Sequence, residues 1–425
     1  MLVIIIILFF LFSMAMGVPI CIVLGASSIW YLSAEGLSLT IITQKVVAAM
    51  DSFILLTIPF FALAGSIMAS SGTLERLVNL SRALVGHWRG GLAHVNVLGS
   101  MIFAGMSGTA TADAAGLGNL EIPAMIKEGY DREFAVGLTA SSSLIGPIIP
   151  PSLTMVIYGW LASVSVGKLF LGGIIPGVLM GLSLMIMVYW ISKKRQYPKY
   201  PRASLREILI AFYKAFLSLL TIIIIVVGTL SGIFTPTEAG AVAAVYALFL
   251  AFFIFRTFNF TKLYKVLVDT AFLSSVILFL VGTAAAFAYM LIREQIPQHL
   301  SLILLSVIKN KYLILLVLNI FLLILGAFMD TIAIMVILIP TLMPLLSIYS
   351  IDPVHFGVVM TLNLVIGLCT PPFGLILFVI ARVGELPVYR AIRAVLPFLI
   401  PLIIVLFLIT YISPLVMFIP NLFIP

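Results

Sequence analysis

Apolar residues dominate this chain in long, nearly continuous segments that are separated by short polar stretches. The segments cover residues 2–32, 51–70, 92–107, 134–149, 152–166, 169–192, 208–233, 237–256, 268–292, 312–328, 331–349, 354–369, 372–383 and 394–419. A helix needs about 17–25 predominantly apolar residues to cross a bilayer, so the pattern predicts a series of transmembrane α-helices. The segments lack the period-2 alternation of barrel strands, which excludes an outer-membrane barrel.

Several of these segments are too short to cross a bilayer alone, namely 92–107, 134–149, 152–166 and 372–383. Short apolar helices fit re-entrant hairpins or half-helices, because irregular backbone at membrane depth is tolerated only where protein encloses it or a cavity borders it. We therefore expect re-entrant hairpins or half-helices at these segments.

The same helix-breaking residues occur in both halves of the chain at a constant offset (326 − 105 and 397 − 176 both give 221). Gly105, Pro123, Asp131, Gly146, Pro150, Pro151 and Pro176 recur as Gly326, Pro344, Asp352, Gly367, Pro371, Pro372 and Pro397. Interrupted apolar segments at matching positions of two halves point to a transporter binding site. If each half crosses the membrane an odd number of times, the two repeats are inverted relative to each other.

A basic segment separates the two halves. Its charged residues are Lys193, Lys194, Arg195, Lys199, Arg202, Arg206 and Lys214. An excess of Lys and Arg in short loops marks the cytoplasmic side of a membrane protein. We therefore predict a cytoplasmic linker at 193–207.

This linker divides the chain into a first repeat half at 1–192 and a second at 208–425. In the first half we expect the hairpin and the unwound helix around 92–166. In the second half we expect the hairpin around 270–330 and the unwound helix around 354–383.

The composition agrees with a polytopic all-α membrane protein. The chain is 63% hydrophobic and only 9% charged, and its mean hydropathy is +1.28, whereas soluble domains carry about 25% charged residues. The net charge of +8 sits mostly in short loops, so it indicates membrane orientation and not nucleic-acid binding.

Disulfides, transition metals and a signal peptide are not indicated. Cys21 and Cys369 are far apart and lie in apolar runs, and the four histidines are scattered without a His-Glu-x-x-His motif. No Lys or Arg precedes Lys45, so the apolar N-terminus is expected to be an uncleaved membrane helix.

The first candidate site is a run of small and hydroxyl residues between Gly105 and Gly118. It contains Ser107, Thr109 and Asp113. Hard cations such as Na⁺ bind carbonyl, hydroxyl and carboxylate oxygens. Tight helix packing also enriches small residues, but an acid inside a membrane segment favours a functional site.

The matching run in the second half has fewer hydroxyls and keeps one carboxylate, Asp330. About 18 uncharged residues precede it, so we expect Asp330 to be buried, where it would need a cation or a proton. The alternative is a structural role as a helix N-cap.

Two further stretches carry glycine and double proline at the same spacing, Gly146 with Pro150 and Gly367 with Pro371. Proline removes a hydrogen-bond donor and clashes with the preceding turn, so each helix must unwind. The freed carbonyl groups can bind a cation, and the half-helix N-termini can face an anion.

Other charged groups and one enzyme motif leave alternatives open. Arg293 either faces a carboxylated substrate, or pairs with Asp330, or reaches the membrane surface. Glu238 begins a helix, which indicates a structural role. The Gly-x-Ser-Gly at Ser107 resembles that of rhomboid intramembrane proteases, for which His94 or His355 would have to act as the base.

The chain resembles the large membrane subunit of TRAP (tripartite ATP-independent periplasmic) transporters, of the ion-transporter superfamily. The resemblance covers nearly the whole chain, with matching stretches at Pro59–Gly65, Gly105–Asp113, Gly146–Ser152 continuing through Met155–Gly159, and Gly367–Gly374. It implies Na⁺-coupled import of an organic acid across a bacterial inner membrane. It also implies inverted repeats with two re-entrant helical hairpins and two unwound helices, and a scaffold that supports an elevator-type transport domain.

The resemblance further implies two protein partners, a small membrane subunit of about four helices and a periplasmic substrate-binding protein. No further helical module is attached to this chain, so the small subunit is expected to be a separate protein. The substrate is expected to be sialic acid or a C4-dicarboxylate. A self-sufficient carrier of the same superfamily remains the alternative.

The resemblance assigns two or more Na⁺ ions to residues at the helix breaks. These residues are Ser107, Gly108, Thr109, Gly146 and Pro150 in the first half, and Gly326, Asp330, Gly367 and Thr370 in the second. Asp113, Ser165 and Arg293 are further expected at the substrate site or its gate.

Overall fold

The computed structural model describes residues 2–424 of the chain, which fold into α-helices without a β-strand in that range. In the first half these are α1 Leu2–Ala15, α2 Ile20–Ala34, α3 Thr40–Met50, α4 Thr57–Ser70, α5 Thr73–Val85, α6 Gly91–Ser107, α7 Ala110–Lys127, α8 Arg132–Ser143, α9 Leu153–Ala162 and α10 Val166–Arg195. In the second half they are α11 Leu205–Leu230, α12 Pro236–Phe249, α13 Phe260–Arg293, α14 Ile296–Val307, α15 Lys311–Phe328, α16 Thr331–Ile348, α17 Pro353–Gly367, α18 Leu375–Val383, α19 Val388–Tyr411 and α20 Pro414–Phe423.

Within the described residues, 8 helical segments are long and apolar enough to cross a membrane. They are Phe53–Ser70, Val166–Arg195, Leu205–Leu230, Pro236–Ile254, Phe260–Arg293, Lys311–Phe328, Thr331–Ile348 and Val388–Tyr411. Large apolar side chains on these helices, such as Ile223, Phe272 and Ile400, are exposed on the outside of the isolated chain. Such an apolar exterior suits lipid contact.

The helix ends are stabilised by caps that their sequences specify. Ser204 and Glu207 form a capping box at α11, and Thr235 and Glu238 form another at α12. In each box two backbone donors at the helix start obtain side-chain acceptors. The predicted structural role of Glu238 is therefore confirmed.

The two repeats are visible as equivalent helices. Helix α7 covers 110–127 and α16 covers 331–348, so both ends of the pair are shifted by the same 221 positions as the motifs (331 − 110 and 348 − 127). The series from α6 to α10 corresponds in order to the series from α15 to α19. Both double prolines contain a cis peptide bond, Pro150–Pro151 and Pro371–Pro372.

Contacts at the two ends of α19 show that the repeats run in opposite directions. Its first turn meets the start of α8, with Arg390 Nη1 at 3.8 Å from Glu133 Oε1. Its last turn meets the start of α15, where the rings of Tyr411 and Tyr312 are 6.1 Å apart. The 24 residues of α19 span about 36 Å at 1.5 Å per residue. The start of α17, the equivalent of α8, also lies at the last turn of α19, because the His355 ring is bonded to the Ile409 carbonyl at 2.8 Å. The equivalent helices α8 and α17 therefore start at opposite ends of α19.

The linker between the halves is shorter than predicted, because Lys193, Lys194 and Arg195 form the last turn of α10 and α11 begins at Leu205. Basic residues in a last turn interact favourably with the helix dipole. The remaining linker packs on the ends of other helices, for instance through the Gly90 N–H, which donates to the Pro198 carbonyl at 3.1 Å.

The linker also approaches the start of α8. Arg195 and Tyr197 both donate to the Asp131 carboxylate. These bonds, that of Tyr197 first, lower the pKa of Asp131 below its usual value.

The second hairpin and the N-terminal segment differ from their predicted boundaries. Residues 270–293 belong to the continuous helix α13, and the break equivalent to the one at 108–109 lies at 329–330, between α15 and α16. The apolar segment 2–32 is interrupted before α2, where Gly17 adopts φ +79° and Pro19 follows. Proline and a left-handed glycine both end a helix, although the hydropathy of the segment is continuous.

Helix α8 packs so closely on α19 that one position tolerates only glycine. A Cβ atom added to Gly137 would lie 2.2 Å from the Ala394 carbonyl oxygen. Because that atom belongs to the backbone, the helices themselves would have to separate.

We predict that Gly137→Ala lowers the free energy of unfolding by about 1–3 kcal/mol, the usual cost of overpacking. The measurement is thermal unfolding of the detergent-purified protein. The matched control is Gly25→Ala, whose new Cβ meets Thr283 Cγ2 at an ordinary 3.7 Å. Equal melting temperatures for the two variants would contradict the close packing of α8 on α19.

Candidate cation and substrate site at the paired helix breaks

The first helix break lies between α6 and α7. Helix α6 ends at Ser107, Gly108 takes the left-handed φ of +62°, and Thr109 is extended. The Gly108 carbonyl accepts from the Leu153 N–H at 3.4 Å, and a Cβ on Gly108 would lie 2.9 Å from the Pro151 carbonyl oxygen. The break therefore lies directly against the unwound segment between α8 and α9.

Asp113 forms the centre of this first site. It lies one turn inside α7, is fully buried, and accepts a hydrogen bond from Ser107 Oγ. Its second oxygen, Oδ2, is buried without a hydrogen-bond partner. A Cβ on Gly146 would lie 2.3 Å from that oxygen, so only glycine leaves room for the carboxylate there.

The unwound segment from Leu144 to Ser152 lies against this centre at Gly146. Ser152 Oγ donates to the Pro147 carbonyl and also accepts from the Met155 N–H at 3.2 Å, which caps α9. Pro150 is buried within the segment. An unpaired buried carboxylate oxygen beside an unwound backbone segment is an arrangement that a cation can complete.

The second break is built by direct contact of two backbones. A Cβ on Gly367 would lie 2.5 Å from the Gly326 Cα atom, so the end of α15 packs against the end of α17. Thr370 Oγ1 donates to the Ile366 carbonyl at 2.9 Å, within its own turn. The rings of Phe328 and Phe373 lie 5.6 Å apart at this break, and both side chains are exposed.

Asp330 occupies the start of α16. Its Oδ1 accepts from the Ile332 N–H at 2.9 Å, so the helix-capping alternative is present in the structure. Its side chain is exposed on the surface of the isolated chain. The expectation that Asp330 is buried is therefore wrong, because the break leaves an opening at this point.

The two carboxylates are not equivalent in the repeat. At the offset of 221, Asp330 corresponds to Thr109, and Asp113 corresponds to Ile334, which is buried and apolar. The two sites therefore share their backbone arrangement but carry their negative charge at different positions. This asymmetry would let the two sites differ in ion affinity.

The two breaks are held together because each repeat packs on the other. Gly118 of α7 faces α18, where an added Cβ would lie 3.2 Å from Val383 and 3.3 Å from Ile380. Helix α16 packs in the same way on α9, with buried Val336 and Ile157 in one apolar cluster.

Two expected residues lie away from this arrangement. Ser165 caps α10 by accepting from the Lys168 N–H at 3.3 Å, and the 10 residues of α9 place it about 15 Å beyond the unwound segment. Arg293 ends α13, is exposed, and makes no ion pair with Asp330 among the ion pairs of the described residues.

A second buried carboxylate, Glu121, was not expected at a site. Neither of its oxygens has a hydrogen-bond partner, and a Cβ on Gly99 would lie 3.2 Å from Oε1. The only feature of the sequence that could have indicated Glu121 is that this acid follows Asp113 closely. The polar residues around Glu121 are also typical of an ordinary loop.

The geometry does not support a serine protease. Ser107 donates to Asp113, and His94 lies 13 residues earlier on the same helix, which is about 20 Å away. The ring of His355 is bonded to the Ile409 carbonyl at 2.8 Å. Neither histidine is placed to act as a base for Ser107.

Two inverted helical repeats with paired breaks define the fold of a membrane transporter. The chain is similar to the solved YdaH transporter of Alcanivorax borkumensis (TM-score 0.64, 16% identity, 88% of each chain). It is also similar to MtrF of Neisseria gonorrhoeae (TM-score 0.57, 14% identity, 90% of this chain and 85% of that one). At these identities the similarity concerns the fold alone.

Residues 5–415 match the family described as the "Tripartite ATP-independent periplasmic transporter, DctM component". The chain therefore belongs to this family, the large permeases of TRAP transporters, and is a transporter subunit and not an enzyme. The predicted resemblance is confirmed.

Curated relatives carry the same family name. The chain is 46% identical to the sialic acid TRAP transporter large permease protein SiaM of Vibrio cholerae, over 89% of each chain. It is 41% identical to the sialic acid TRAP transporter permease protein SiaT of Haemophilus influenzae, over 98% of this chain and 68% of that one. It is also 41% identical to the C4-dicarboxylate TRAP transporter large permease protein DctM of Pseudomonas aeruginosa, over 93% and 92%.

We predict that Gly146→Ala reduces transport at least about tenfold, because its Cβ would displace the Asp113 carboxylate. In sites that depend on exact positioning, a displacement of about 1 Å can reduce the rate about a hundredfold. The measurement is uptake by cells that express the complete transporter, normalised to the amount of inserted protein. Gly116→Ala on α7 is the matched control, since its Cβ would make only ordinary contacts, with Leu74 Cδ1 at 3.5 Å and Phe103 Cε1 at 3.9 Å. Wild-type uptake by Gly146→Ala would remove this carboxylate from the transport site.

Proposed function

We propose that this chain forms the permease pathway of a Na⁺-coupled TRAP transporter that imports an organic acid, with sialic acid as the substrate. The observation that carries the proposal is the buried Asp113 carboxylate, whose Oδ2 lacks a hydrogen-bond partner at a helix break. A membrane-embedded carboxylate of this kind needs a cation or a proton to offset its charge.

Each break offers the oxygen ligands that Na⁺ prefers. In the first half the proposed ligands come from Ser107, Gly108, Thr109, Gly146 and Pro150, with Asp113 as the charged group. In the second half they come from Gly326, Asp330, Gly367 and Thr370. Two ions, one at each break, would connect pieces of chain that are far apart in sequence, and so stabilise the closed arrangement around a substrate.

An anionic substrate would lie between the two breaks. The N-termini of α7, α9, α16 and α18 all begin at the breaks, and helix N-termini favour negative charge. Bound Na⁺ would offset the charges of Asp113 and Asp330, which otherwise repel a carboxylate. This linkage gives a physical reason for coupled transport of the ion and the acid.

The identity of the substrate is proposed from the relatives. The 46% identical SiaM carries sialic acid in its name, and so does SiaT, whereas the 41% identical DctM carries C4-dicarboxylate. The balance of similarity favours sialic acid for this chain.

Transport would use an elevator-type movement. The helices around the breaks, α6–α10 and α15–α20, share one large buried core, against which α4, α5, α11 and α12 also pack. A second apolar cluster consists largely of residues from α1, α2 and α13, together with side chains of α9 and α16. We assign the first group to the moving domain and most of α1–α5 and α11–α14 to the scaffold.

The complete transporter would contain a small membrane subunit of about four helices and a periplasmic substrate-binding protein, in the bacterial inner membrane. The apolar outer surfaces of α11 and α13, with exposed Val227 and Phe272, suit contact with lipid and with another membrane subunit.

We predict that uptake of radiolabelled sialic acid into proteoliposomes requires both an inward Na⁺ gradient and the binding protein. The vesicles would contain this chain and its small subunit, and succinate would be the comparison substrate. Uptake that is independent of Na⁺ would contradict the coupling. Uptake without the binding protein would indicate the self-sufficient carrier, and uptake of succinate alone would reassign the substrate.

We also predict that Asp330→Ala abolishes uptake while the protein still folds. Removal of an N-cap costs about 1 kcal/mol, which a membrane protein of this size tolerates. Asp352→Ala is the matched control, because Asp352 caps α17 by accepting from the Val354 and His355 N–H groups. If both variants transported equally well, Asp330 would be only a helix cap.

A further inference from the structure

A cavity of about 430 Å³ lies where the end of α10 meets the starts of α8 and α19. Three arginines line it, Arg195, Arg390 and Arg393, together with Glu133 as an acidic group. The rest of the wall is apolar or aromatic and includes Ile191, Phe134, Tyr389, Ala394, Pro397 and Phe398. The cavity therefore has a basic rim and an apolar interior.

The arginines are not equally neutralised. Arg195 pairs with Asp131, and Arg390 Nη1 lies 3.8 Å from Glu133 Oε1. Arg393 makes no ion pair within residues 2–424. One positive charge at the cavity thus remains available to an anion.

The cavity lies at the depth of the lipid headgroups. Arg195 ends the membrane-spanning helix α10, and Arg390 and Arg393 lie in the first two turns of the membrane-spanning helix α19. Lys193, Lys194 and the basic linker lie at the same end, so the excess of basic residues places it on the cytoplasmic side.

Apolar surface continues from the cavity towards the membrane centre. On α19, Leu396, Ile400 and Ile404 are exposed and follow Arg393 at spacings that keep them on one helical face. On α10, Met187 and Ile191 are half-buried beside this face. A hydrated anion would leave these walls without a partner, whereas a glycerol backbone and its acyl chains would cover them.

We infer that this cavity binds the headgroup of an anionic phospholipid of the cytoplasmic leaflet, with Arg393 as the principal contact to the phosphate. Basic pockets between membrane helices on this side of a membrane suit anionic headgroups. The site is separate from the helix breaks, since the 12 residues of α8 put about 18 Å between them.

The test is native mass spectrometry of the detergent-purified chain with its small subunit, titrated with phosphatidylglycerol or phosphatidylcholine. We expect phosphatidylglycerol to bind more tightly, and Arg393→Gln to weaken it about fivefold, the contribution of one basic residue at a membrane surface. Arg206→Gln is the matched control, because Arg206 is exposed in the first turn of α11 and does not line the cavity.

A second variant separates a lipid from a free anion. Ala394→Phe fills the apolar part of the cavity without changing its charge, and should also weaken phosphatidylglycerol binding. If Ala394→Phe does not fold, the effect of Arg393→Gln on phosphatidylglycerol binding alone decides whether the cavity is the lipid site. Equal binding of both lipids, or the same loss in Arg206→Gln as in Arg393→Gln, would overturn the proposal. Competition by inorganic phosphate at concentrations that match the lipid would overturn it as well, by indicating a free-anion site.

Discussion

The requirement that every backbone polar group at membrane depth find a partner governs this structure. Four helices begin at breaks inside apolar surroundings, and their exposed ends must be satisfied locally. The Gly108 carbonyl receives the Leu153 N–H, Ser152 caps α9, and Asp330 caps α16. Asp113 Oδ2 remains unpaired, and in the proposed mechanism a transported ion would satisfy it. The candidate site is therefore centred on a polar group that the fold leaves without a hydrogen-bond partner.

Glycine makes this arrangement possible by letting backbones meet. Gly367 lies against Gly326, and Gly146 leaves room for Asp113. Close-packed interiors tolerate little extra volume. A methyl group at Gly367 would therefore push α15 and α17 apart, and one at Gly146 would displace the Asp113 carboxylate. The same residues that weaken a helix in isolation thus determine how the two repeats fit together.

The repeat is symmetric in its backbone and asymmetric in its charges. Equivalent helices follow one another in the same order, yet Asp113 has the apolar Ile334 as its counterpart, and Asp330 has Thr109. A transport domain that exposes one substrate site to each side in turn needs similar helix breaks in both repeats. It does not need identical ligands, so under the proposed mechanism each break would bind its ion with its own affinity.

The sequence alone determined the all-helical membrane class, the offset of 221, the positions of the breaks and the family, because hydropathy, proline and glycine act locally. It did not predict α5, whose polar face with Glu75 and Arg82 hides its buried Leu77 and Leu80, nor the continuity of α13 through residue 270. Only the tertiary structure decided which acid is buried. Asp113 lies against Gly146, whereas Asp330 opens to the surface, because burial depends on what packs against a residue from distant parts of the chain.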